Sequence, residues 1–483
     1  MSAADKICPA RRGLYILCVN IGIATSILFI AVGLSSDLQM FGDGSLFTYA
    51  IAAQDSWPFH WHNIPGRLFT YVYAYIPAET TVALTGSARA GIFVYGLLFF
   101  SAPLLGLLVT LAADRTSGRA IFGYACLSTA CLLPLVFGAP TEMWMAHTLF
   151  WPVLAICLCT PHRPRGAVAV FAGLLALVFT HEGAIVFSGA ILFALFLRGW
   201  RHPLFIRTTA AFLVAMTIWL VVKLTVRPDD YIAGVLAAAA FRFVDIRNLG
   251  EPAFLVLLAA LLSFGAAVVV FRRIDPAKTY TYAVIVSVAA LAVYWIAFDR
   301  SLLAEARYNL RTVLLIATPV LGVLAVVSAM PGEALRKSPF PFLAPVKAVL
   351  ERNSNARMIS GAVLLILLVH VVETSKFVRA WTDYRSAVRA LATGAEANPL
   401  LGDPQFVSSR RIGSGLNRLA WNSTTPYLSV LVAPGLKPGR LVVDPSAGYF
   451  WLSCATARAS EIASTAIPQE ARRLVRIYAC LHR

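Results

Sequence analysis

The sequence predicts an all-α polytopic membrane protein of about eleven transmembrane helices, N-terminus inside and C-terminus outside, with a small mixed α/β extracytoplasmic C-terminal domain. Three observations predict it. Apolar residues fill 59 % and charged residues 13 % of the 483 positions, about half the charge of an ordinary soluble domain. Apolar windows long enough to cross a bilayer recur through the first 373 residues. The basic residues collect on alternate loops, as cytoplasmic segments do. The same composition excludes a soluble cytosolic enzyme, a disordered chain and a nucleic-acid-binding module. The net charge of +17 is read as loop charge, with anionic membrane lipids as partners and no nucleic acid.

Spans are expected at 14–34, 91–112, 120–138, 143–159, 168–180, 183–197, 208–226, 253–271, 280–298, 310–330 and 358–372. Helices are the expected form because the bilayer core offers no water to unpaired backbone groups. The first span follows Lys6, Arg11 and Arg12 and has no convincing small-residue cleavage site, so it is read as an anchor. With these spans, the inner segments hold eighteen basic and five acidic residues. The opposite loops before the tail, with Lys223 and Arg311 counted from the outer ends of their spans, hold nine basic and twelve acidic ones.

Two segments need a decision. Residues 68–84 are apolar and aromatic, but a span there would invert the charge rule for Arg115 and Arg119. An interfacial helix is expected instead, in keeping with Tyr71, Tyr73 and Tyr75. Residues 168–197 are read as a hairpin of two short helices, because a single helix would misplace Arg198, Arg201 and Arg207. The tip His181-Glu182-Gly183 would then sit in a recessed, water-accessible hollow. The domains are therefore 1–373, including a large outer loop at 35–89, and a polar tail at 374–483. In the tail, 377–384 reads as helix, and 427–432, 441–443 and 474–479 read as strands between Pro/Gly turns.

Cys454 and Cys480 are the cysteines of the tail, either a disulfide or two buried thiols. Cys157-x-Cys159 lacks a second ligand pair, so no metal site is expected there. His60 and His62 belong to an interfacial aromatic cluster. Asn422-Ser423-Thr424 is a sequon that carries meaning only in a secretory pathway.

The acidic outer rim carries the candidate chemistry. Asp43, between Gly42 and Gly44, is either a base for an acceptor hydroxyl or a turn and helix-cap acid. Glu142 is either a second carboxylate facing a cavity or a helix N-terminal acid. His147 reads as a packed polar residue. His181 and Glu182 interrupt an apolar hairpin, as functional groups or as a hydrogen-bonded turn. Arg307, Tyr308 and Arg311 open span ten, either to hold a phosphate or to anchor the interface. Lys223 and Asp37 read as solvated loop charges.

These features together resemble the GT-C glycosyltransferases. The shared ones are an acidic residue in a long first outer loop, interfacial helices there, many short spans, an Arg-Tyr at a late span's outer end and an exported tail. Glu305-Ala306-Arg307-Tyr308-Asn309-Leu310-Arg311 resembles the family's Arg-Tyr-x-x-Pro element, with Arg311 where proline often stands. Gly42-Asp43-Gly44 resembles the first-loop acidic motif, with one acid where many members have two. The Thr180–Gly183 tip is similar to that of some bacterial members.

The resemblance implies a lipid-linked, polyprenyl-phosphate sugar donor and a glycan or lipid acceptor, joined at the extracytoplasmic face of a plasma membrane such as the bacterial inner membrane. Asp43 would be the base, with Glu142, Glu182 or His181 assisting, and Arg307, Tyr308 and Arg311 would hold donor phosphate. No cofactor or metal is implied. The competing expectations are a flippase or transporter for a lipid-linked glycan, and a polysaccharide polymerase or ligase.

Overall fold

The computed structural model describes residues 9–54, 67–139, 141–160, 163–225, 245–299, 307–394, 405–421 and 424–443. Among them, nine helices are long and apolar enough to cross a membrane, and two shorter apolar helices accompany them. Each coincides with one of the eleven expected spans. The chain is an all-α polytopic membrane protein with few strands.

α1 (Pro9–Ser35) leads through a 3-10 turn to α2 (Asp43–Ala52). Then come α3 (Leu68–Thr70), a π-helical segment (Tyr71–Tyr75) and α4 (Ile76–Thr85). This stretch is helical, as expected for 68–84, and is not among the candidate spans. It buries Tyr71, Ala74, Tyr75, Ala78 and Val82 and exposes Val72, Ile76 and Leu84, the two-sided character of an interfacial helix. Gly86, at φ +67°, ends α4 in the left-handed region. Ser87 then caps α5 (Ala88–Ala113) by accepting from Ala90 N at 3.3 Å.

α6 (Ala120–Leu132) and a 3-10 turn (Leu133–Val136) precede α7 (Glu142–Cys159), whose cap Thr141 accepts from Met143 N. α7 is buried over nearly its whole length and forms the centre of the bundle. α8 (Pro164–Val178) and α9 (Ala184–Phe196) make the expected hairpin. At 1.5 Å per residue they rise about 20 Å each, short of the roughly 30 Å of a bilayer core. α10 (Pro203–Thr225), α11 (Pro252–Ile274), α12 (Thr279–Ala297) and α13 (Arg311–Ala329) follow. Helices pack closely where glycine removes the side chain. A Cβ at Gly22 would stand 2.7 Å from Cys126 Cα, and one at Gly106 would stand 2.7 Å from Thr148 O.

After α14 (Gly332–Lys337) and α15 (Leu343–Glu351), α16 (Asn353–Thr393) runs for 41 residues without a break. That is about 60 Å, roughly twice the bilayer core. The helix passes straight through positions 373 and 374, and its polar second half contains the expected helix at 377–384.

In the tail, β1 (Gln405–Ser408) pairs in parallel with β2 (Arg440–Val443), which includes the expected strand at 441–443. Between them lie α17 (Ser414–Asn417) and α18 (Thr425–Val432). The expectation of a strand at 427–432 is corrected: the segment is helix α18. Its run from Thr425 to Leu431 is buried on all sides, and a continuous apolar run carries no period that separates a buried helix from a buried strand. Residues 474–479, Cys454, Cys480, His60, His62 and Asn422 lie outside the described residues.

The tail shares a core with the bundle. Phe377, Trp381, Tyr384, Tyr427 and Leu428 join Phe29, Leu38 and Phe41 in one apolar cluster. Phe41 meets Phe377 and Trp381 edge-on, with ring centres 5.1 and 5.4 Å apart. Asp37, read as a solvated loop charge, is 45 % exposed and ion-paired with Arg385 of α16.

Candidate functional site

Gly42 sets the position of Asp43. Its backbone (φ +59°, ψ −130°) belongs to glycine, and it turns the chain from the 3-10 segment into α2 with Asp43 as the first helical residue. Tail residues hold this turn. Thr424 Oγ1 donates to Gly42 O at 3.0 Å, and Ser45 Oγ lies 2.9 Å from Gly42 O and 3.2 Å from Thr424 O. The Trp421 ring leaves only 3.3 Å for a Cβ at Gly42.

The Asp43 side chain makes no hydrogen bond or ion pair among the described residues, yet it stays partly accessible while atoms crowd it. Burial pushes its carboxyl up to about 7; the Glu142 charge adds to the rise, while Arg311 and Arg67 oppose it.

Beside it lies an ionic cluster drawn from four parts of the chain. Arg67 Nη1 is 3.1 Å from Glu142 Oε2, at the start of α7. Its Nη2 and Nε lie 3.0 and 3.1 Å from Glu182 Oε2, at the hairpin tip. Lys223 Nζ, near the end of α10, is 2.7 Å from Glu182 Oε1. The side chains of Arg67, Glu142, Glu182 and Lys223 are 20, 8, 14 and 10 % exposed, so each charge depends on its partners. Burial acts to raise the Glu182 carboxyl, but Arg67, His181 and Lys223 outweigh it and hold it well below the ordinary carboxylate range.

His181 Nδ1 accepts from Gly183 N at 3.0 Å, so that nitrogen carries no proton. Burial, and then the Arg67 charge, hold its imidazole well below the usual value. A neutral His181 therefore shapes the tip and is not a cationic partner for Glu182, 3.9 Å away. Arg311, the first residue of α13, stands within electrostatic reach of both Asp43 and His181. Tyr75 and Tyr95 share a hydrogen bond on the Glu142 side, their rings 5.1 Å apart.

The structure thus brings Asp43, Glu142, His181, Glu182 and Arg311 together. It places Arg307 elsewhere. That guanidinium is buried between the Leu133–Val136 turn and α16, donates to Pro134 O, and lies 4.9 Å over the Phe377 ring. Burial pushes it down to about 10, with Glu373 opposing. It belongs to a second polar layer, in which Glu373 accepts from Trp295 Nε1 at 3.1 Å and Lys376 bridges Glu373 and Asp299. Arg307 and Arg311, both expected with Tyr308 to hold donor phosphate, thus have different surroundings. A spacing of four residues across a 3-10 turn and a helix start need not share a face. Nothing is described of the Tyr308 side chain. His147 is a packed polar residue, with Nε2 2.7 Å from Ser128 Oγ.

Two members of the cluster are new. Lys223, expected to be solvated, is buried against Glu182. Its sequence signal was its position in an apolar helix, where ionisable groups take partners. Arg67 gave no comparable signal; only its contacts reveal it.

Fold and site together define a polytopic α-helical membrane protein with a buried ionic cluster at one end of its bundle. Comparison with protein-family models, with curated proteins and with solved structures gives no match for this chain.

Proposed function

We propose that the protein is a membrane glycosyltransferase of GT-C type, which moves a sugar from a polyprenyl-phosphate donor to a glycan or lipid acceptor at the extracytoplasmic face of a plasma membrane. One observation carries this reading: a half-buried carboxylate, Asp43, with no hydrogen-bond or ion-pair partner among the described residues, beside a cluster rich in guanidinium and ammonium groups. Asp43, Glu142 and Glu182 oppose Arg67, Lys223 and Arg311. The three acids and three bases balance while Asp43 is ionised, and its uptake of the acceptor proton leaves one positive charge to meet the charge that develops on the lipid phosphate of a polyprenyl-phosphate sugar.

In the reaction, ionised Asp43 takes the proton of an acceptor hydroxyl. The hydroxyl oxygen bonds to the anomeric carbon as the bond from that carbon to the phosphate oxygen breaks. The charge left on the lipid phosphate is met by Arg311, with Arg67 and Lys223 close by. Glu142 holds Arg67 in place and keeps Asp43 basic.

The test is mass spectrometry of envelope glycans and lipid-linked sugars in cells carrying the wild type or Asp43→Asn. Loss of one sugar from a glycan, with the polyprenyl-phosphate monosaccharide accumulating and the variant still inserted, is the expected result. A complete lipid-linked oligosaccharide accumulating instead would replace this reading with a flippase or polymerase. Lys223, ionised within an apolar helix, is the observation on the transporter's side.

A further inference from the structure

The end of the bundle away from Asp43 holds a second polar site. α7, α9 and α13 all run towards it. Glu142, Glu182 and Arg311 stand at or just before their first turns, and Cys159, Arg198 and Met330 at or just after their last. Along α7 the separation is about 27 Å. Between these helix ends and the loop after α5 lies a cavity of about 300 Å³, lined by Arg115, Ser117, Cys159, Arg198 and Met330 among others. No acidic side chain lines it.

The neighbouring polar groups are already committed. Asp114 spends its carboxylate on the loop: Oδ1 accepts from Thr116 N at 2.8 Å and Thr116 Oγ1 at 2.6 Å, and Oδ2 from Phe122 N at 2.9 Å. Arg207 caps the end of α7, donating to Thr160 O at 3.1 Å and Cys157 O at 3.2 Å. Arg198 differs: its side chain makes no hydrogen bond or ion pair among the described residues, and its Nε is buried. Arg115 is exposed at the rim. Three helix C-termini converge here, each with roughly half a negative charge. Arg207 caps the end of α7, Lys347 Nζ donates to Ser328 O at 3.1 Å and to Met330 O at the end of α13, and Ser338 Oγ donates to Leu197 O at 2.7 Å after α9, so the guanidinium charges of Arg115 and Arg198 are not spent on these ends. The exposed Arg119, Arg163, Arg165 and Arg201 at the same end strengthen the positive field.

We propose that this cavity binds a phosphate group between Arg115 and Arg198, with the Ser117 hydroxyl as a further donor. Arginine matches phosphate oxygens with paired donors, and buried, unmatched Arg198 Nε supplies the incentive. The volume is at the lower end of small-molecule pockets, which admits a headgroup but not a nucleotide sugar. The apolar wall contributed by α7 and α13 suits the first carbons of a lipid. The phosphate can come from an anionic phospholipid or from solution. The inference stands apart from the transfer chemistry at Asp43.

The full-length chain in non-ionic detergent tests it. Native mass spectrometry is run with dioleoyl phosphatidylglycerol and with phosphate-free dioleoylglycerol. Thermal unfolding is run with inorganic phosphate and with chloride at equal ionic strength. Phosphatidylglycerol or inorganic phosphate should bind the wild type, and Arg115→Gln should weaken that binding roughly tenfold, the loss of one charge-assisted hydrogen bond. Arg165→Gln, exposed at the same end but outside the cavity, should leave it unchanged. Binding of the lipid alone assigns a lipid source; protection by inorganic phosphate assigns a soluble one. Equal binding by wild type, Arg115→Gln and Arg198→Gln with both probes would overturn the proposal. Should Arg198→Gln fail to fold, Arg115→Gln decides, because an exposed arginine can be replaced without opening the core.

Discussion

Asp43 and Glu182 lie in one cluster but titrate in opposite directions. Burial raises Asp43 to about 7 and the Glu142 charge adds to it. In the proposed reaction Asp43 must be ionised to act, so sugar transfer should rise with pH through about 7. Glu142→Gln removes the repulsion and releases Arg67 towards Asp43. Both effects favour the ionised form, so the rising limb of the rate–pH profile should move to lower pH. A limb that stays in place would take Glu142 out of the tuning of Asp43. Stability follows the same sign. A carboxyl with a raised folded value costs stability only where the unfolded chain ionises, above about 4. Asp43→Asn should therefore raise Tm at pH 8 and leave it unchanged at pH 4. Glu182 is held low, so its contribution is present above the unfolded value and lost as pH falls through the folded one. At pH 7, Glu182→Gln leaves Lys223 and Arg67 short of a partner and should cost roughly 3 kcal/mol, read as a lowered Tm in detergent.

The helices are positioned by apolar runs and fixed by close contacts between small residues. α1 crosses α6 where Gly22 meets the Cys126 backbone. Gly22→Ala should push the two apart and cost about 1–3 kcal/mol. Gly265→Ala in α11, where nothing lies within 4 Å, should be neutral or slightly stabilising because alanine favours helix. Equal Tm changes for the two would show that the α1–α6 contact is not tight. The spans were legible at this scale because each carries its own signal: a run of apolar residues that saturates its backbone locally. α18 was not legible as helix, because Tyr427–Val432 is apolar but for Ser429 and is buried through Leu431, so no polar face marks a period. α16 was legible in two pieces, an apolar span and a polar helix. Its continuity was not, because composition changes near Glu373 while the backbone does not.

Across the whole molecule, the tail closes over the turn that follows α1. Trp421, Thr424 and α18 cover the turn that presents Asp43, and Trp381 Nε1 donates to Ser36 O at 2.9 Å. Asp43 is thus held by residues almost 380 positions away. Thr424→Val, which removes the hydrogen bond to Gly42 O, and Trp421→Ala, which empties the space above Gly42, should loosen that turn. Transfer should fall roughly tenfold to a hundredfold, as it does when a reacting group is misplaced by about 1 Å, while membrane insertion is unchanged. Wild-type rates in both variants would make the tail a cover without a positioning role.

The sequence by itself determined the class of protein, the order of the apolar helices, the hairpin with His181 and Glu182 at its tip, and the acidic residues worth watching. Hydropathy and helix signals are local, and in a bilayer each helix satisfies its own backbone. Only the tertiary structure decided which charges meet. Arg67 joins Glu182 across 115 positions, Lys223 joins it across 41, and Arg307 turns away from Arg311 into a separate layer. The physical reason is that a buried charge is set by the partner that packing brings to it, and packing between distant segments leaves no mark in the sequence around either one.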